Sequence, residues 1–195
     1  MLLLFAVVAG VARAAPVTVD FSVLGADSYS ITAPDSYTLD GVTFRYDNLG
    51  SIDDIAQIDA YGVFGSTYGS LILDFGSPVT AVSLDFTAIA VYGPVNNAIS
   101  VAFSNAGSGV GGSSVSASDF ELYDPGNPLL GGDAYGTLSY NGVTFNRALI
   151  SFSADAPYFS VDSLTYTPAP EPSALAVLAA GLLRLPGIRL ARRKR

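Results

Sequence analysis

The chain contains no cysteine, no histidine and no tryptophan. Without cysteine there is no disulfide framework and no thiol chemistry, whatever the compartment. Without histidine and cysteine, the serine–histidine and cysteine–histidine arrangements of hydrolases lose their base or nucleophile. Zinc and copper likewise lose their usual nitrogen and sulfur ligands. Cations are nearly missing from most of the chain. Between residues 15 and 170 only Arg45 and Arg147 stand against sixteen carboxylates, a balance of −14, while the whole chain carries −8. The offset comes from residues 171–195, with six cations and one glutamate, and from Arg13. So acidic a body repels nucleic acid and anionic lipid, and suits divalent cations or neutral glycans. Glu121 is its only glutamate. Glycoside hydrolysis needs two carboxyl groups placed across one cleft, and the aspartates sit mostly near turns, so the sequence reads as non-catalytic.

What is present is strand sequence. Val82, Leu84 and Phe86, then Ile99, Val101 and Phe103, then Ala148, Ile150 and Phe152 recur at every second position. Their neighbours are largely small or polar, such as Ser83, Asp85, Ser100, Ser151 and Ser153. That alternation marks half-buried strands. Further strands are expected at Val17–Leu24, Val42–Tyr46, Ser70–Phe75, Ala134–Tyr140 and Tyr158–Tyr166. Turn signals fall at Asp40-Gly41, Gly76-Ser77-Pro78, Gly93-Pro94 and Asn141-Gly142. Helical spacing appears only in the tail and over Ile52–Ile58. Many short strands punctuated in this way predict one all-β domain, an antiparallel sandwich or jelly roll, over residues 15–167. Leu39–Phe44 and Tyr140–Phe145 echo one another, which points to repeated hairpin chemistry rather than a duplicated half. Asn105–Ser118, nearly all glycine, serine and alanine, reads as a mobile loop, and Asp124–Asp133 as a rigid one.

Calcium needs only oxygen ligands, and two places could offer them. Asp47, Asp53, Asp54 and Asp59 lie close together in a segment of weak strand character, without the spacing of an EF-hand loop. A solvated acidic loop is the plainer reading of them. Asp162 is the other candidate. Around it the apolar phase changes, from Phe159 and Val161 to Leu164 and Tyr166, which predicts a bulge. Sugar binding would have to use tyrosines, and Tyr29, Tyr37, Tyr61, Tyr68, Tyr92, Tyr123 and Tyr135 are the candidates.

The ends carry addresses. Leu2–Val11 is an apolar run followed by Ala12-Arg13-Ala14, a small-x-small cleavage site, which is the core of a secretory signal peptide over residues 1–14. The positive start of such leaders is missing, which implies a start codon upstream of Met1. At the other end, residues 168–195 form a tail. A Thr-Pro-Ala-Pro spacer leads to Pro170, Glu171, Pro172 and Ser173, an apolar run from Ala174, and the basic terminus Arg192, Arg193, Lys194 and Arg195. The seventeen residues Ala174–Leu190 would span about 25 Å as a helix, short of a full membrane crossing. Arg184 and Pro186 weaken it further. By the positive-inside rule the basic end stays cytoplasmic.

Polar motif, apolar segment and basic end together resemble the PEP-CTERM sorting signal of exopolysaccharide-producing Gram-negative bacteria. The Arg184–Gly187 interruption departs from that pattern. The resemblance covers the tail alone. It implies recognition by an exosortase, a transpeptidase of the inner membrane, then cleavage near Pro-Glu-Pro and delivery to the cell surface or exopolysaccharide matrix. The ending Val161–Tyr166 also resembles the last strand of jelly-roll domains in PEP-CTERM proteins and in some carbohydrate-binding modules, where an aspartate near the place of Asp162 helps bind a structural calcium. The expectation is therefore an exported, non-catalytic surface or matrix protein. The alternatives are a calcium-stabilised carbohydrate-binding module and, behind it, an enzyme acting on polysaccharide.

Overall fold

The computed structural model describes residues 14–51 and 54–170. The signal-peptide run with Ala12, the site Asp53, the sorting residues Glu171, Pro172 and Ser173, the apolar tail and the terminal basic cluster lie outside them. Ala15–Ala169 form one compact unit. Its strands are β1 (Val17–Thr18), β2 (Tyr29–Ser30), β3 (Tyr37–Leu39), β4 (Val42–Asp47), β5 (Ala56–Asp59), β6 (Gly62–Ser66), β7 (Ser70–Val91), β8 (Val95–Asn105), β9 (Ser108–Ala117), β10 (Asp119–Leu122), β11 (Gly132–Phe152) and β12 (Tyr158–Pro168). All named pairings are antiparallel, as short turn-linked strands dictate.

Two long strands organise the unit. The first part of β7, Ser70–Asp74, lies between β4 and the end of β11, which β8 and then β9 continue. The later part of β7 lies between β12 and the start of β11, with β6, β5 and β2 beyond β12 and β10 beyond β11. The strands thus turn a corner from one layer into another. On β7 the corner is Gly76-Ser77-Pro78, and opposite it the β11 register breaks between Asn141 and Phe145. Pro78 cannot donate to a ladder, so a corner suits it.

The layers meet through aromatic rings. Phe152 of the first layer stacks on Phe159 of the second at 3.7 Å, Phe103 on Tyr140 at 4.0 Å, and Phe75 packs against Tyr166 at 5.4 Å. Val82, Leu84 and Phe86 are buried, as are Ile99, Val101 and Phe103, whereas Asp85 and Ser100 are exposed. Period-two reading located this core correctly. The Asp40-Gly41 hairpin also forms as expected: both residues have positive φ, 46° and 78°, and Leu39 pairs with Val42 across a two-residue turn.

Several expectations are corrected. Val17–Leu24 is a strand only at Val17–Thr18. Asp20 then accepts a hydrogen bond from the Ser22 N–H and caps a short 3-10 turn, Phe21–Leu24, because a local aspartate acceptor competes with the ladder. Asn105–Ser118 is chiefly β9, not a loop. Glycine and serine strand sequence is weak alone, but β8 supplies the full ladder and Val110 and Val115 pack on the core. The region expected to show helical spacing contributes β5 at Ala56–Asp59. Asn141-Gly142 is no tight turn: neither residue has positive φ, and both sit at the β11 corner. The echoed segments are therefore a hairpin in one case and a corner in the other.

Candidate functional site

The outward face of the second layer follows from strand parity. On β11 the outward residues are Asp133, Tyr135, Thr137, Ser139 and Asn141, and on β7 Ile89, Thr87, Asp85, Ser83 and Ala81 stand opposite them. Across β12 and β6, Ser160 pairs with Thr87 and with Phe64; across β10, Asp119 pairs with Tyr135. One cross-strand row therefore reads Phe64, Ser160, Thr87, Tyr135, Asp119. Neighbouring strands lie about 4.8 Å apart, so the row crosses most of the layer. It combines aromatic surface, hydroxyls and a carboxylate.

A depression of about 310 Å³ opens on this row, with Asp85, Asp119, Tyr135, Thr137 and Asp162 among its lining residues. Ser116 of β9 and Ser118, between β9 and β10, also line it. Asp162 is the extra residue of a bulge: Val161 pairs with Phe86 and Ser163 with Asp85, leaving Asp162 between them. The phase change in the sequence marked this bulge. It aims the carboxylate into the depression, where Thr87 donates to it at 2.9 Å and Ser160 also donates. Asp85 accepts from the Thr137 hydroxyl at 2.7 Å. Asp119 is exposed and accepts no hydrogen bond among the described residues. Burial, then Asp133, then Glu121 and Asp162 raise the Tyr135 phenol above its ordinary value, so it remains a neutral donor at neutral pH.

The electrostatics of the two outer faces differ. Arg147 makes a bidentate pair with Asp74, at 2.5 and 3.0 Å, on the first layer, where Arg45 of β4 also lies. No cation stands on the outward face of the second layer among the described residues. An anionic ligand would meet repulsion there.

The other expected site residues do not join this place. Asp47 accepts from the Leu49 N–H at 3.0 Å, Asp59 from the Tyr61 N–H at 2.8 Å, and Asp54 from the Ser66 hydroxyl at 2.8 Å. Each serves its own turn or neighbour. Among the described residues, which leave out Asp53, no three carboxylates converge in metal-ligating geometry. Ala14 and Pro170 are described and belong to no strand. Of the tyrosines, Tyr29 and Tyr37 stack on each other at 4.6 Å, Tyr123 donates to Asp133 at 2.6 Å, and Tyr61, Tyr68 and Tyr92 are exposed. Only Tyr135 enters the depression. Sequence reasoning passed over Asp119, Thr137 and the stacked pair Phe64 and Tyr158, whose ring centroids lie 5.7 Å apart. Thr137 lies on a strand read in the sequence, whereas Asp119 and Phe64 lie on β10 and β6, which were not.

No family's sequence pattern matches the chain, and no curated protein matches it in sequence. Among solved structures it is similar to a carbohydrate binding module of family 29, with 14% identity and a TM-score of 0.42 over 72% of this chain and 88% of that one. It is similar to the xylan-binding module CBM15, with 13% identity and a TM-score of 0.38 over 74% and 98%. The Agl-KA catalytic domain structure shows 15% identity and a TM-score of 0.36 over 74% of this chain and 28% of that one. All are distant likenesses.

Proposed function

We propose that the chain is an exported, non-catalytic protein whose body binds neutral glycan through the outward face of its second layer. The observation that carries this reading is the depression holding Tyr135 beside Asp85, Asp119, Asp162 and Thr137. Sugar hydroxyls are recognised by carboxylate and hydroxyl partners, and sugar rings by flat aromatic faces, and the cation-free surface rejects acidic polymers. Binding fits better than hydrolysis. The carboxylates of Asp85 and Asp162 are occupied by the hydroxyls of Thr137, Thr87 and Ser160, and the depression is mostly polar. A glycosidic acid is instead kept protonated by an apolar wall.

Affinity electrophoresis through gels containing soluble neutral polysaccharides tests this directly. The protein should be retarded by at least one of them, and Tyr135→Ala should weaken the retardation about tenfold without shifting the melting temperature, since loss of one good contact is worth that much. Retardation that is absent throughout, or undiminished in Tyr135→Ala, would sink the reading.

The tail supports a delivery route in which Pro170, Glu171 and Pro172 are read at the inner membrane by an exosortase and the product reaches the surface or matrix. In cells with that machinery, the intact mass of the mature protein should correspond to a chain beginning at Ala15 and ending near Glu171. Deleting Arg192–Arg195 should leave unprocessed protein. Native material that mostly retains Arg195 would refute the route.

A further inference from the structure

The depression does not end at Thr137. A second one, of about 300 Å³ and more apolar, follows it along the same strands, with Pro16, Ala81, Ser83, Ser139, Tyr140 and Thr165 among its lining residues. The two are aligned by the strands themselves. Asp85 and Ser83 are successive outward positions of β7, and Thr137 and Ser139 are their partners on β11. Where the depressions meet stand two serines, whose hydroxyls lie 3.1 Å apart. From Tyr135 to Asn141 the face runs six residues, about 20 Å at ~3.4 Å per residue.

We propose that the two depressions are one trough, which takes an internal stretch of a linear neutral polysaccharide lying parallel to β7 and β11. This rests on the glycan-binding reading above and adds to it the form of the ligand. A repeating bed suits a repeating polymer: outward side chains recur about every 7 Å along each strand, and at Thr137, Ser139, Ser83, Thr165 and Thr167 they are hydroxyls. A ligand of one sugar unit would fill one depression and leave the other to water. Short side chains along the bed let a straight chain lie flat.

Calorimetry of the protein with a length series of β-1,4-linked glucose and mannose oligomers, and with their soluble polymers, tests the trough. Affinity should rise about tenfold or more as the oligomer grows to span ~20 Å, because joined subsites act together, and should then level off. Chemical reduction of the oligomer's reducing end should change nothing. Ser139→Tyr, exposed and in a strand that tolerates tyrosine, should bring long oligomers down to the affinity of short ones and leave short ones bound. Ser83→Tyr enters the same place from β7 and replaces it if the first variant melts early. Equal affinity for short and long oligomers would overturn the trough while leaving a single glycan site. So would a length advantage that survives both variants. Failure of every oligomer and polymer to bind, with no retardation by any neutral polysaccharide, would remove both readings.

Discussion

Leu84→Ala and Phe86→Ala should each cost about 2–5 kcal/mol of stability, while Ser83→Ala and Asp85→Asn should stay within about 0.5 kcal/mol. The four positions are consecutive on β7, so the contrast measures the sandwich and not the local chain. Leu84 and Phe86 are 2% and 1% exposed. Truncating them forfeits apolar transfer energy and leaves a cavity that a sheet pinned on both sides by β11 and β12 cannot close. Ser83 and Asp85 point outward, and asparagine at Asp85 can still accept the Thr137 hydroxyl through its side-chain carbonyl. A helix would not sort neighbours in this way, since residues two apart lie on opposite sides of its axis. Denaturant melts of the four variants decide the matter. Equal costs at Leu84 and Asp85 would show that the strand is covered on both faces.

That contrast rests on what period-two sequence expresses well: which residues of a strand face the core. It expresses poorly where a strand ends. Gly76-Ser77-Pro78 carries the composition of a turn, yet β7 runs through it, because a corner between layers needs the same missing side chain and missing N–H as a turn does. Asn141-Gly142 misled in the same way on β11. The hairpin at Asp40-Gly41 was legible because, of the four turn signals read in the sequence, it is the one at which both residues take positive φ. β9 was illegible for a different reason. Its glycines have no strand preference, and its order comes from β8, which pairs with it from Val95 to Asn105.

The candidate site divides along similar lines. Asp162 could be singled out because its bulge breaks a pattern within one strand, a local event. Asp119 and Thr137 could not. They become neighbours of Tyr135 and Asp85 only through pairings of β10, β11 and β7 that join residues up to fifty-two positions apart. Conversely, Asp47, Asp54 and Asp59 were close in sequence but serve separate partners in space. Proximity along a β chain is weak evidence of proximity in the fold, because neighbouring residues point to opposite faces and adjacent strands diverge at their turns.

Gly69→Ala should be among the most damaging small substitutions in the protein, on the order of 3 kcal/mol. Gly69 lies between β6 and β7 and is buried. A Cβ there would fall within contact distance of the Tyr46 ring, its hydroxyl and the Asp47 carbonyl. Tyr46 is fully buried, and its hydroxyl donates to the Ser66 carbonyl at 2.8 Å while accepting the Gly69 N–H at 2.7 Å. The methyl group would therefore displace the ring that satisfies both backbone groups. Tyr46→Phe removes the hydroxyl alone and should cost less, about 1–3 kcal/mol, by leaving that N–H and carbonyl without a partner. Alkaline melts separate the two effects. Burial, with Asp54 and Asp47 adding to it against the opposing hydrogen bonds, raises the Tyr46 phenol above its ordinary value near 10. A folded-state value above the unfolded one means stability that is fully present below pH 10 and lost as pH climbs through the folded value. The gap between the parent and Tyr46→Phe should thus narrow above pH 10, as only the parent has that hydroxyl to ionise. Gly69→Ala, whose defect is steric, should be destabilised at neutral pH to an extent that filling Tyr46→Phe does not explain. Combined in one chain, the two changes should cost less than their sum, because phenylalanine gives the new methyl group room where the hydroxyl stood. Strict additivity in the double variant would mean that Gly69 and Tyr46 do not share the site that the structure gives them.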